Sequence, residues 1–198
     1  MSDLETQLRA AIARSGDDSS DFDLNPDVVL PHGRKLRPAG VLIGITTFEE
    51  QPKVILTKRS SALKHHPGQI AFPGGKQDEG DADVIAAALR EAREEIGLPE
   101  GRARVLGSLP AHETVTSFQV TPVIALIDTP FTLVPEPGEV DEAFSTPLSH
   151  LLQTSNYLVE SRRWRGSRRH YFTVPYGPYY IWGATARILR GFAARMME

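Results

Sequence analysis

The chain of 198 residues contains no cysteine. Disulfide bonds, zinc sites built on thiolates and a cysteine nucleophile are therefore excluded. Long apolar runs are also missing, since none approaches the roughly 18 residues that a membrane-spanning helix needs. Residues 1–15 contain no apolar core of the kind that signal peptides carry. From these absences we expect a cytoplasmic protein with no membrane partner.

The chain also lacks an excess of positive charge, because its formal net charge is −3. No general positive field favours binding to nucleic acid, so we expect no nucleic-acid partner. The composition is 40% apolar and 24% charged, which is ordinary for a globular domain. The length suits one domain with an extension. We predict an N-terminal extension at 1–35 and a main domain at 36–198, with no internal repeat.

Three acidic residues stand at helical spacing in the middle of the chain. Glu91, Glu94 and Glu95 occupy positions i, i+3 and i+4, so that one face of a helix presents all three carboxylates. Like charges at these spacings repel by roughly 0.2–0.5 kcal/mol per pair. A hard divalent cation such as Mg²⁺ or Mn²⁺ removes that conflict, because it prefers oxygen ligands. We therefore predict a metal site, the alternative being a solvated acidic helix face.

The helix that carries these acids has recognisable ends. Asp81 or Asp83 is placed to cap its N-terminus, and Gly97 stands where a left-handed residue ends a helix. Upstream, Phe72-Pro73-Gly74-Gly75 follows a predicted strand and indicates a tight backbone turn. The apolar residues that would bury one side of the helix are Val84, Ile85, Ala88, Ala92 and Ile96.

The glycine turn and the acidic helix together resemble the Nudix box, G-x5-E-x7-R-E-U-x-E-E-x-G-U, where U is a bulky apolar residue. Residues 90–98 match its second half, except that Ala92 is small for a U position. Counted from Gly75, the acidic position of the first half falls on Asp81, and eight residues rather than seven separate it from Arg90. The resemblance implies metal-dependent pyrophosphate hydrolysis on an α/β/α sandwich, with a mixed sheet between helices. Residues 1–35 would add an N-terminal helical extension to that fold.

A second resemblance concerns one Nudix subfamily, the coenzyme A pyrophosphatases. Residues 56–60, Lys64, Gly68 and residues 72–75 look like the signature that precedes the box in that family, which usually has arginine in place of Lys64. Residues 120–123 and 181–186 are also similar to that family. The implied substrate is coenzyme A or an acyl or oxidised form, cleaved to 3′,5′-ADP and a 4′-phosphopantetheine product. The rivals are another nucleoside diphosphate derivative (ADP-ribose or a dinucleoside polyphosphate) and a non-catalytic nucleotide- or RNA-binding domain.

The resemblance suggests which residues do the chemistry. Glu91, Glu94 and Glu95 would hold the metal, with Glu94 also counted as catalytic. We expect Arg90 to leave the helix on a different side and to orient a ligating glutamate through a salt bridge. The general base is either a box glutamate or an acid from a later loop. Its candidates outside the box are Glu139 and Glu142, then Glu113 and His112.

Several residues are candidates for contacting the substrate. Arg59 and Lys64, with His65 and His66, precede the glycine turn and would meet phosphate charge. Gly74 and Gly75 would let the backbone approach the phosphates. We interpret two further sets as structural. The arginines of a solvated hairpin are Arg162, Arg163, Arg165, Arg168 and Arg169, and the core aromatics are Trp164, Tyr171, Phe172 and Trp182.

The pattern of apolar residues outlines the remaining elements. Leu4, Leu8 and Ile12 predict a short amphipathic helix that packs either on its own domain or on a second subunit, so a homodimer is possible. Strands are expected at 39–48, 53–58, 103–111 and 118–127, the last a buried central strand because it is almost continuously apolar. After a loop at 130–141 we expect a helix at 147–152, a hairpin at 157–174 and a final helix at 182–196.

Overall fold

A computed structural model describes residues 3–30, 33–164 and 166–197. The helices are Asp3–Ala13 (α1), Val84–Ile96 (α2), Leu148–Leu152 (α3) and Ala184–Met197 (α4). The strands are Ser19–Ser20 (β1), Arg37–Thr46 (β2), Lys53–Arg59 (β3), Ile70–Ala71 (β4), Gly74–Lys76 (β5), Arg104–Ser108 (β6), His112–Glu113 (β7), Phe118–Ile127 (β8), Val140–Pro147 (β9), Leu158–Trp164 (β10) and Ser167–Thr173 (β11).

One mixed sheet forms the middle of the molecule. Its path is β1-β7-β8-β2-β3-β4, with β5 on β2, β6 on β8 and β9 on β3. The two central strands, β2 and β8, run parallel over ten residue pairs from Arg37↔Phe118 to Thr46↔Ile127. The apolar run at 118–127 is therefore a buried central strand, as its composition indicated.

Helices cover both faces of this sheet. Successive strand residues point to opposite faces, so Leu42 joins the core beneath α2 while Ile43 joins the core beneath α1, α3 and α4. Ala88 and Ala92 of α2 are fully buried, and their small side chains let the helix lie close to the sheet. The α/β sandwich with a mixed sheet between helices is confirmed.

The N-terminal extension packs onto the main domain of its own chain. Leu8 is fully buried, and α1 packs against α4 and β6. Arg195 donates from Nη1 to the carbonyl oxygen of Arg14 at 2.6 Å, and Arg14 donates in turn to the carbonyl oxygen of Arg195. These two bonds satisfy carbonyl groups at the ends of both helices. The division at residue 35 and the homodimer both stay predictions.

Some expected boundaries were wrong for identifiable reasons. The turn at 72–75 is partly a strand, because Gly74–Lys76 pairs with β2. The strand expected at 103–111 stops at Ser108. The loop at 130–141 ends earlier than expected, because Val140 already pairs with Arg59 in the sheet. The last helix begins at Ala184, because Gly183 has a positive φ of 67° and so lies outside the right-handed helical region.

A two-stranded hairpin lies outside the main sheet. Its strands β10 and β11 pair antiparallel from Leu158↔Thr173 to Trp164↔Ser167, close to the range expected for it. Thr173 forms an isolated bridge with Trp182, which ties the hairpin to the segment before α4. No helix among the described residues is long and apolar enough to cross a membrane.

Candidate active site

The helix α2 is capped at both ends by residues that sequence analysis had singled out. Asp83 is its N-cap, with Oδ1 accepting from the backbone N–H of Ala86 at 2.8 Å. Gly97 ends it with a φ of 68°. Asp81, the other capping candidate, is not the cap, because its carboxylate accepts from Arg90 instead. The caps hold the acidic turn in a fixed orientation relative to the sheet.

Glycine backbone lies directly against the acidic turn. Strand β5 pairs Gly75 with Gly40 of β2, and a Cβ added at Gly75 would lie 2.5 Å from Oε1 of Glu91. A Cβ added at Gly40 would lie 1.9 Å from the carbonyl oxygen of Val84 at the start of α2. Any larger side chain would force the helix and the glycine strand apart. This spacing explains why glycines precede the helix.

Glu95 is the most buried of the three acids. The residue is 5% exposed, and its Oε2 accepts from the backbone N–H of Gly74 at 3.0 Å. Burial raises the pKa of this carboxyl to about 7, although the Gly74 N–H acts in the opposite direction. Burial likewise raises the pKa of Glu91, opposed by Arg90. A bound cation would stabilise both carboxylates in their charged form.

We had expected Arg90 to leave the helix on a different side from the acids, but its side chain lies on the acidic face. Its Nη1 lies 3.0 Å from Oε1 of Glu91 and 2.9 Å from Oε2 of Glu94. Its Nε and Nη2 each donate to Asp81 at 3.0 Å. The bonds to Arg90 hold the pKa of Asp81 below its usual range and raise that of the guanidinium. The long side chain reaches one turn forward, so the expected salt bridge to a box glutamate is present by a different route.

A cavity of about 960 Å³ opens beside the glycine strand. Gly74 and Gly75 lie in its wall, together with Arg59, His65 and His66 from the segment that precedes them. Lys64, which we had expected to contact the substrate, is exposed and is not among the lining residues. Glu91, Glu94 and Glu95 do not line the cavity, but Gly74 and Gly75 of its wall lie against Glu95 and Glu91.

The hairpin supplies cavity residues that sequence analysis missed. Arg162 and Arg169 line the cavity. Arg162 is exposed, as expected for a solvated hairpin, whereas Arg169 is half-buried. Tyr171 and Trp182 also line it, so the core interpretation was wrong for both. Alternation along a strand predicts two faces for the arginines, but nothing in the sequence indicates which face meets the cavity. Arg165 and the Trp164 side chain lie outside the described residues.

Comparison with protein families matches the NUDIX domain over residues 36–164. This chain belongs to the Nudix family. It is 42% identical over 160 residues to an uncharacterized Nudix hydrolase, NudL, of Enterobacter sp., covering 81% of this chain and 83% of that one. A NudL from Cronobacter sakazakii is 40% identical over 162 residues, covering 82% and 84%.

A solved structure supports the same fold. The crystal structure of a MutT/nudix family protein from Enterococcus faecalis superposes with a TM-score of 0.52 and covers all of this chain and 75% of that one. Its sequence is 16% identical, so the likeness concerns the fold alone. Family and relatives together identify the protein as a Nudix hydrolase.

Nudix hydrolases use divalent metal ions, and the acidic turn has donors of the right chemistry for one. Glu91, Glu94 and Glu95 supply only carboxylate oxygens, which hard cations prefer. No three acidic or histidine side chains of the described residues already stand together as a metal-binding group. Two of the three glutamates are instead occupied by Arg90, which supplies positive charge to the same face. Arg90 binds only one carboxylate oxygen of each, so the residues present fit a metal that the other oxygens would hold.

The candidates for the general base differ in their surroundings. Glu139 is linked to the acidic turn through the backbone, because its N–H donates to the carbonyl oxygen of Glu136 at 3.3 Å and the N–H of Glu136 donates to that of Glu95 at 3.0 Å. Glu142 instead accepts a hydrogen bond from the hydroxyl of Tyr179.

The two weaker candidates for the base are held by other residues. Glu113 pairs with Arg34, with 2.8 Å between Oε1 and Nη1. His112 is fully buried and bonds to Ser19 Oγ at 2.9 Å and to Asp21 Oδ1 at 3.1 Å. His112 therefore ties the N-terminal extension to β7, and the idea that it reaches the acidic turn was wrong.

Proposed function

We propose that this Nudix hydrolase cleaves the pyrophosphate bond of coenzyme A, or of an acyl or oxidised derivative. The products would be 3′,5′-ADP and a 4′-phosphopantetheine compound. The supporting observation is the cavity of about 960 Å³, which extends from Gly74 and Gly75 to Arg59, Arg162 and Arg169. Coenzyme A carries phosphate charge at two places, and a cavity with separated cations suits such a ligand.

The acidic turn supplies the metal site in this proposal. Mg²⁺ or Mn²⁺, when bound, neutralises phosphate charge and lowers the pKa of bound water. Glu91, Glu94 and Glu95 would hold the ion. Arg90 would keep Glu91 and Glu94 oriented through the bonds it already donates to them. Gly75 would keep the backbone close enough for the phosphates to reach this face.

For the general base we propose Glu139 ahead of Glu142. Glu139 belongs to the segment whose Glu136 N–H donates to the carbonyl oxygen of Glu95, so it lies beside the turn that carries the proposed metal ligands. Glu142 is held by Tyr179, whose ring stacks on Phe144 with centroids 3.5 Å apart. Glu139→Gln should remove the acidic limb of the pH–rate profile, and Glu142→Gln should retain it. The opposite result would assign the base to Glu142.

The activity itself is tested by incubating the full chain with coenzyme A, with and without Mg²⁺. We expect products with the masses of 3′,5′-ADP and 4′-phosphopantetheine, formed only with the metal. Reaction in ¹⁸O-water would show which phosphorus is attacked. A higher kcat/KM for ADP-ribose or a dinucleoside polyphosphate would overturn the substrate proposal. Salt-dependent RNA binding without any turnover would favour a non-catalytic domain instead.

Glu94→Gln tests the metal ligands. We expect kcat to fall at least about 100-fold, the upper end of what a metal-supporting side chain contributes. Glu50→Gln is the matched control, since Glu50 is exposed in the turn between β2 and β3. A Glu94→Gln enzyme with near-normal kcat would remove Glu94 from the metal site.

A further inference from the structure

The hairpin β10–β11 carries two pairs of arginines on opposite faces. Arg162 stands directly opposite Arg169, and Arg163 stands directly opposite Arg168. Because successive strand residues alternate, the two pairs point in opposite directions. Arg162 and Arg169 line the cavity, whereas Arg163 and Arg168 do not. Like charges directly opposite each other destabilise a sheet, and an anion bound between them would reverse that cost.

The hairpin is held against the cavity at several points. The side chain of Asn25 donates to the carbonyl oxygen of His170 at 2.9 Å and accepts from its backbone N–H at 2.8 Å. Gly183 donates its backbone N–H to the carbonyl oxygen of Phe172 at 3.1 Å. Tyr180 donates its hydroxyl to Glu160 at 2.7 Å. The position of the arginine pair is therefore set by the N-terminal extension and by the segment before α4.

Arg162 is oriented by an aromatic ring. Its guanidinium carbon lies 4.2 Å from the centroid of Trp182, whose ring in turn packs at a 60° tilt against Tyr171. Among the described residues, no carboxylate oxygen lies within 4 Å of a nitrogen of Arg162. A guanidinium held over an indole ring loses freedom of movement, and this contact uses none of its N–H donors. Such an arginine is prepared to bind a phosphate at two points.

The charge of the cavity favours an anion at the hairpin. Of the described residues that line it, Asp21 is the only acidic one, and its oxygens already accept from His112 and from the backbone N–H of Val115. Burial lowers the pKa of His66, as do the charges of Arg59, His65 and Arg162, whereas Asp21 acts in the opposite direction. Arg162 therefore acts on the same space as Arg59, although they come from distant parts of the chain.

We propose that Arg162 and Arg169 form a separate phosphate subsite, which binds a phosphate group of the substrate other than the pyrophosphate that is cleaved. This inference rests on the proposed function, in which the ribose 3′-phosphate of coenzyme A is that group. Trp182 is a positioning residue that keeps the Arg162 guanidinium in place. The hairpin would thereby select nucleotides that carry an additional phosphate, while the acidic turn acts on the bridging pyrophosphate.

The test compares coenzyme A with 3′-dephospho-coenzyme A, which differ by this one phosphate. The double variant Arg162→Gln/Arg169→Gln should raise KM for coenzyme A about tenfold or more, with kcat little changed. KM for the dephospho compound should stay within about twofold, because losing those contacts costs it nothing. The control, Arg163→Gln/Arg168→Gln, removes the same charge from the other face of the same hairpin. It should preserve the preference for coenzyme A over the dephospho compound. Circular dichroism would verify that both variants are folded.

Two results would overturn the subsite. One is an equal loss for both double variants, which would indicate a general field effect of the hairpin charge. The other is an unchanged ratio of kcat/KM values for the two substrates in the Arg162→Gln/Arg169→Gln enzyme. Trp182→Phe provides a further check, since it should raise KM for coenzyme A less than the arginine changes do and leave the dephospho compound unaffected.

Failure of the proposed function is distinguishable from failure of the subsite. If the wild-type protein hydrolyses neither compound, the function is wrong, and calorimetry with 3′,5′-ADP and 5′-AMP then decides about the subsite. The subsite proposal would be retained if the wild-type protein binds 3′,5′-ADP more tightly than 5′-AMP. That difference should disappear in Arg162→Gln/Arg169→Gln and persist in Arg163→Gln/Arg168→Gln. Equal binding of the two nucleotides by the wild-type protein would exclude it.

Discussion

Two buried glutamates in this molecule have opposite electrostatic surroundings. Glu5 in α1 is 6% exposed and Glu95 in α2 is 5% exposed. Oε1 of Glu5 lies 2.9 Å from both Arg9 and Arg104, whose hydrogen bonds hold the pKa of Glu5 below its ordinary value. Glu95 accepts a backbone N–H from Gly74, and burial raises its pKa to about 7.

The difference in surroundings indicates a different role for each of the two carboxylates. Cations from α1 and β6 compensate Glu5, so its charge fastens the N-terminal helix to the sheet. Glu95 is desolvated without comparable compensation, which is costly unless a positive charge arrives from outside the chain. Such uncompensated groups cluster at functional sites. The contrast therefore supports a structural role for Glu5 and a role in metal binding for Glu95.

The largest expected effect comes from Glu95→Gln. We expect kcat for the preferred substrate to fall at least about 100-fold, because one of the proposed metal ligands would be lost. The melting temperature measured in EDTA should stay the same or rise, since a buried charge has been removed. Steady-state kinetics and thermal unfolding of the same preparation would check both. Retained activity together with a large loss of stability would reverse the roles we assign.

The next largest effect is expected where the backbone of Gly75 lies close to the carboxylate of Glu91. Gly75→Ala places a Cβ 2.5 Å from Oε1 of Glu91 and must displace that side chain. We expect kcat to fall about 10- to 100-fold, as displacements near 1 Å do in active sites. Gly80→Ala serves for comparison, because a Cβ there would meet no atom within 4 Å. Equal kinetics for the two variants would show that the position of Glu91 is unimportant.

In metal-free buffer, Glu95 and Glu5 should make the free energy of unfolding depend on pH in opposite directions. Because the pKa of Glu95 rises from 4.5 to about 7 on folding, the native state binds more protons, and stability falls as pH rises through that range. The size is of order 1–3 kcal/mol. Glu5, whose pKa is lowered, stabilises the fold above pH 4.5 and loses that contribution as pH falls through its folded value.

Urea unfolding of the wild-type protein, Glu95→Gln and Glu5→Gln across this pH range would check these slopes. In Glu95→Gln, the free energy of unfolding should fall less steeply as pH rises above 4.5. In Glu5→Gln, it should fall less steeply as pH decreases below 4.5. If the free energy of unfolding depended on pH in the same way in both variants, the proposed contrast between Glu5 and Glu95 would be wrong.

The smallest effect is expected for Glu5→Gln at neutral pH. The melting temperature should fall, because Arg9 and Arg104 lose their charged partner, while kcat and KM stay as in the wild-type enzyme. Differential scanning calorimetry and the substrate assay would measure this. A loss of activity at unchanged melting temperature would mean that α1 acts on the site rather than on stability.

Local patterns were sufficient for most of the elements. The spacing of Ala88, Ala92 and Ile96 predicts α2, and Asp83 and Gly97 are recognisable as its caps. The apolar run at 118–127 likewise predicts β8 with its correct ends. These features depend on neighbours within a few residues, which is the range over which sequence patterns carry information.

Contacts between distant segments were not predictable in the same way. Nothing near Asp81 distinguishes a helix cap from a partner of Arg90, and the structure makes it the partner. Nothing near Arg162 indicates that a hairpin more than 80 residues from Arg59 lines the same cavity. Each of these depends on the register of strands and on which face of an element meets the core.

The order of residues along this chain was enough to establish the family, the α/β sandwich and the helical face that carries three carboxylates. Spacing within one helix decides which side chains share a face, and no distant contact alters that. Tertiary structure alone decided that Glu95 is buried and Glu94 is not, and that one arginine pair of the hairpin lines the cavity while the other does not. Burial and facing depend on what packs against an element, and the packing comes from segments far away in the chain.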